Sequence, residues 1–156
     1  MIADDVTFLK RSDANNIMLW PGIARIRLWE DALTALGVDA SNVERELREF
    51  DKFLLPLSAP KNVLAPRRLS RIYRLDATHT ARQKAIRRIQ GALATQLLMQ
   101  NVYRLHLAES MGRTPAIFQF CADMATRIPI FDFSRPIEFA ALSEGLDLLE
   151  SHFGAS

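Results

Sequence analysis

The sequence predicts an all-α chain: a compact bundle or orthogonal array of five to six helices around a central apolar helix at about 92–107. Three observations lead there. Apolar residues recur at steps of three or four in successive segments. Proline, serine, threonine and glycine stand where helices start and stop. No alternating run of β-branched residues is bounded by an Asn-Gly or Asp-Gly hairpin turn.

The first strong helix is expected from Pro21, a favourable first-turn residue, to a stop at Gly37. Ile23, Ile26, Trp29, Leu33 and Leu36 would form its buried face, with Trp20 and Trp29 read first as core and second as interface residues. A short helix within Val6–Trp20 would precede it. The second opens on the capping box Ser41-Asn42-Val43-Glu44, carries Val43, Leu47, Phe50 and Leu54, and ends at Pro56. A stiff loop follows at 56–65, and Pro66 opens a short helix through Leu75.

Thr80-Ala81-Arg82-Gln83 fits a further capping box, and Gly112 supplies the next stop. One helix between them would run roughly 45 Å, with Gly91 as a candidate kink. Its second half, Ala92 to Leu107, is apolar on several sides, as for a helix surrounded by others. Thr114-Pro115 opens another helix, with Ile117, Phe118, Cys121, Met124 and Ile128 on its inner side. An apolar loop at Pro129–Ser134 then leads into a last helix from Ser134 and Pro136 to Gly154.

At 156 residues, with 49 % apolar and 24 % charged residues, the composition is that of an ordinary globular domain. The expected organisation is a flexible N-terminus at 1–13 followed by one helical domain at 14–156. The lone cysteine, Cys121, excludes an intramolecular disulfide. No stretch approaches 18 uncharged apolar residues, and Met1–Asp13 resembles no targeting signal, so a cytoplasmic location is expected.

Charge is uneven. The net value is +2, yet 61–88 holds nine of the twenty Lys and Arg against a single acid, Asp76. That segment is therefore +8 and the remainder −6. Arg67, Arg68, Arg71, Arg74, Arg82, Lys84, Arg87 and Arg88 are its candidate macromolecule-binding residues, because arginine pairs phosphate or carboxylate oxygens through a planar fork. A helix-turn-helix reading of this region is weak: Asp76 stands where the tight turn wants glycine, and Arg82 where an apolar residue belongs. Ile130, Phe131 and Phe133 read first as a core-filling loop, the alternative being a candidate apolar docking patch.

Catalytic patterns are not evident. The six glycines are scattered, so no phosphate-cradling loop is formed, and no His-Glu-x-x-His or Gly-x-Ser-x-Gly is present. His106 and Glu109 share a helical face but lack further ligands, Cys121 reads as a small buried hydrophobe, and His79 and His152 read as surface residues. No cofactor or metal is expected. These features point to a non-enzymatic helical adaptor or regulator that binds a protein partner or itself, with a homodimer expected. The alternative is a nucleic-acid-binding regulator using 61–88.

Overall fold

The protein is mixed α/β rather than all-α. The computed structural model describes residues 4–22, 25–47, 50–56, 65–78 and 84–154. Among them, five α-helices accompany three three-stranded β-sheets. The chain forms two compact units, Met1–Leu69 and Ser70–Ser156.

In the first unit, β1 (Phe8–Arg11) and β2 (Ile17–Trp20) form an antiparallel hairpin where a flexible terminus and a short helix were expected. The polar run between them makes the turn. Ser12 and Asn16 close it through a backbone bond of 2.8 Å, Ser12 Oγ accepts from the Asn16 N–H, and Asn15 takes a positive φ that asparagine tolerates. β3 (Arg25–Trp29) pairs with β5 (Phe50–Pro56), which also pairs with β4 (Glu44–Leu47). The expected helices over 21–37 and 41–54 therefore do not form as such.

The reason is visible in Arg25-Ile26-Arg27-Leu28-Trp29. Ile26 and Trp29 suit a helical step of three, but the same residues alternate charged and apolar, the period of a half-buried strand. Only the end of the first predicted helix survives, as α1 (Glu30–Ala35) before Gly37. The box at Ser41 is replaced by a 3-10 turn, Ala40–Asn42, capped from Asp39. Trp20 and Trp29 are exposed rather than buried, and Lys52 lies over the Trp29 ring at 4.8 Å. Ile17, Leu33 and Phe53 make this unit's core. β6 (Arg67–Arg68) adds to β2, where a helix was expected from Pro66.

The second unit is built on β7 (Ile72–Thr78), β8 (Ala85–Ile89) and β9 (Ile130–Pro136), in the order β7-β9-β8. β9 is central, parallel to β7 and antiparallel to β8. The 45 Å helix does not exist. The described part of its basic half holds β8, the expected capping box at 80–83 lies outside the described residues, and Gly91 is a break at φ +63° rather than a kink. α2 (Gly91–Gln100) and α3 (Leu105–Ser110) share the span of the predicted central apolar helix.

Gly112 does end α3. At φ +65° it takes the left-handed position of a helix stop, its N–H bonding Glu109 O while the Arg113 N–H bonds Ala108 O. α4 (Thr114–Arg127) then begins at the predicted Thr-Pro pair. α5 (Leu142–Gly154) starts later than expected, because 130–136 is the central strand and not an apolar loop. Ala94, Leu97 and Leu98 of α2 pack with Cys121 and Met124 of α4, while Ile130 and Phe133 of β9 are buried on opposite faces of the sheet, Phe133 against α5.

Candidate functional site

The β7-β9-β8 sheet sorts its side chains by alternation and register. On one face Ile72, Ile130 and Ile89 align across the three strands, followed by Arg74, Asp132 and Arg87, then Asp76, Ser134 and Ala85. The other face carries Tyr73, Phe131 and Arg88, then Leu75, Phe133 and Ile86.

On the first face, α2 lies beside the charged row. A groove of about 320 Å³ is lined there by Arg74, Asp132, Gln96, Gln100, Leu93 and Leu97. Arg74 Nε and Nη2 donate to the two oxygens of Asp132, each at 2.7 Å. This bidentate bond lifts the arginine further above its already high range. Both groups retain contact with solvent, so the pair orients the side chains more than it stabilises the fold.

On the second face, α5 covers the sheet. Gly145 allows the approach: a Cβ there would stand 3.4 Å from Phe133 Cζ and 3.3 Å from Arg135 Cδ. Tyr73 stacks on Phe131 at 5.2 Å, and His152 meets both rings edge-on. Tyr73 Oη and His152 Nδ1 share a hydrogen bond of 2.6 Å. Arg71 bonds the His152 carbonyl at 3.2 Å and lies over the Phe153 ring, a favourable place for a cation at a helix C-terminus. His152, expected to be a plain surface residue, is a half-buried member of this cluster. Tyr73 and Phe131 lie far apart in the chain, so nothing local in the sequence marks the cluster.

Beside α5 runs a second groove of about 240 Å³, almost wholly apolar, between Tyr73 and Leu75 of β7 and Leu142, Leu146 and Leu149 of the helix. Its rim is open. Leu75 is 56 % exposed and Leu146 50 %. β7 is also an outer strand, pairing only with β9 among the described strands. The Ile72 N–H bonds the Pro129 carbonyl, so residues 72, 74 and 76 turn their peptide groups toward β9. Tyr73, Leu75 and Ala77 therefore turn theirs to the open edge.

The described members of the basic segment divide between the two units. Arg67 and Arg68 belong to the first unit's sheet. Arg71 holds the end of α5, Arg74 holds Asp132, and Lys84 pairs with Glu144 at 2.7 Å. That bond keeps the Glu144 carboxyl below its usual range. Arg87 and Arg88 are exposed on opposite faces of β8, and Arg82 lies outside the described residues. As for the docking patch, Ile130 is 1 % and Phe133 4 % exposed, while Phe131 stacks on Tyr73. These three are sheet core and cluster, not an exposed loop.

Burial pushes the Cys121 thiol up, away from the reactive thiolate. His106 and Glu109 are both exposed on α3. Among the described residues no three His, Cys, Asp or Glu side chains are grouped to hold a metal ion. Nor is any helix among them long and apolar enough to cross a membrane. Comparison with protein families, curated proteins and solved structures finds no match for this chain.

Proposed function

We propose that the chain is a non-enzymatic adaptor or regulatory protein of the cytoplasm, acting by protein–protein interaction and associating with itself. The observation that carries this reading is the open apolar groove between β7 and α5, with Leu75 and Leu146 exposed at its rim. Exposed apolar side chains grouped around a groove, beside a strand whose outer edge is unpaired among the described residues, form a surface that another polypeptide can cover. The single cysteine is buried and free, which suits a reducing compartment.

The rival reading, nucleic-acid binding through 61–88, has less support. A phosphate backbone is met by cations arrayed on one surface. Here they divide between two sheets, and Arg71, Arg74 and Lys84 are engaged within the second unit. The two readings separate in one experiment. Size-exclusion chromatography with light scattering should give a mass above 17.7 kDa that rises with concentration. A monomer of that mass at every concentration, at low and high salt, contradicts self-association. A salt-dependent shift of labelled DNA or RNA would favour the rival.

A further inference from the structure

We propose that the partner on the β7 edge is a second copy of this chain. The two β7 strands pair antiparallel about a two-fold axis at Leu75, joining two three-stranded sheets into one of six. This deepens the self-association reading above and rests on it.

The backbone already meets the requirement. In a two-fold antiparallel pair, a residue on the axis faces its own copy and exchanges two hydrogen bonds with it, if its peptide groups point outward. Leu75 is the middle one of the three β7 residues whose peptide groups turn to the open edge. With the axis there, Tyr73 pairs with Ala77 of the second copy, and Ile72 with Thr78.

Charge selects this register over its neighbours. Arg74 and Asp76 flank Leu75, so each Arg74 stands directly opposite Asp76 of the other copy, twice per dimer. They occupy non-hydrogen-bonded positions, where opposed side chains come closest. An axis at Arg74 would oppose two arginines, and one at Asp76 two carboxylates. Arg74 spends Nε and one Nη2 donor on Asp132, and its guanidinium keeps further N–H groups for a second carboxylate. Asp76 makes no ion pair with a described residue inside its own chain.

The apolar groove fits the same axis. Leu75 and its copy meet on the α5 face of the joined sheet, and Leu146 stands beside them at the groove's rim. The association thus covers the exposed leucine of β7 and closes the open edge together.

The test uses the full-length chain. Leu75→Cys places two thiols across the axis with Cα atoms about 5.5 Å apart, inside the span a disulfide bridges. Asp76→Cys places them about 8 Å apart, outside it. Under mild oxidation, Leu75→Cys is expected to form covalent dimer at least about tenfold faster than Asp76→Cys; Cys121, being buried, contributes no background. Asp76→Lys, which turns both cross-strand pairs repulsive, is expected to weaken the dimer by about tenfold or more in sedimentation equilibrium. This second variant decides the matter should Leu75→Cys fold poorly. A dimeric parent with Asp76→Lys unchanged and no preference for Leu75→Cys overturns the β7 register and leaves self-association standing. A parent that stays monomeric throughout overturns both.

Discussion

The second unit has two sheet edges, and they are built differently. β8 presents Arg87 and Arg88 in a strand of five residues, one cation to each face, with Lys84 just before it. Every antiparallel self-pairing of β8 centred on residues 86, 87 or 88 sets like charges opposite each other or a charge on the axis. β7 carries one cation and one acid on either side of an exposed leucine, a pattern that complements its own copy. Natural sheets commonly block an edge with charge. Among the described strands β8 carries charge of this kind on both faces and β7 does not, and net charge alone would not separate them. Their order along the strand does.

The largest effect is expected at the strand that holds both edges. Phe133 in β9 is buried against α5, and Phe133→Ala should cost about 3–5 kcal/mol in urea unfolding. A loss under 1 kcal/mol would mean that β9 is not the centre of the unit.

Next comes Leu75→Arg. Because the side chain is largely exposed, the monomer's stability should move by no more than about 0.5 kcal/mol. Association should nevertheless fall at least tenfold, about 1.4 kcal/mol, since two cations then meet on the axis. Light scattering across a concentration series reads one effect and urea melts the other. Equal losses in both would reduce Leu75 to a packing residue.

The converse experiment opens the blocked edge. Arg87→Thr combined with Arg88→Thr removes the repulsion and leaves a strand of high β propensity. Species larger than the parent's are expected at high concentration, and an unchanged mass distribution would show that the arginines do not guard β8. The smallest effect belongs to Asp132→Asn. The pair with Arg74 is partly exposed, so the loss of stability should stay below about 1 kcal/mol.

Parts of this fold were legible in the sequence. Gly112 and Thr114-Pro115 were read as a stop and a start, and they are so because their signal is local: a left-handed backbone position, and a proline in the first turn. α2 overlaps the predicted central helix for a similar reason, since Leu93, Leu97, Leu98 and Met99 follow closely after Gly91. The strands were not legible. Ile72–Thr78 finds its partner 58 residues later, and no window of periodicity spans that distance. Without the pairing, Ile86 and Ile89 read as one helical stripe, and Pro129–Ser134 reads as a loop too apolar for its place.

The candidate site was legible only as a list of charges. Arg74 was identified as a phosphate or partner ligand, but its bond to Asp132 depends on that same distant pairing. Folding assigns the basic segment's described members to two sheets and, within the second, to opposite faces. Asp76, read as the lone acid of the segment and as a residue ill-suited to a tight turn, gains its importance from standing two residues after Arg74 in a strand.

Amide exchange at β7, followed as a function of concentration, tests the self-association most directly. The outward N–H groups of Tyr73, Leu75 and Ala77 should exchange quickly in dilute protein and become protected as the dimer forms. Those of Arg87 and Arg88 should keep the same protection throughout. Protection at 73, 75 and 77 that stays constant while the mass doubles would contradict pairing at this edge, and a mass that never rises would contradict self-association itself.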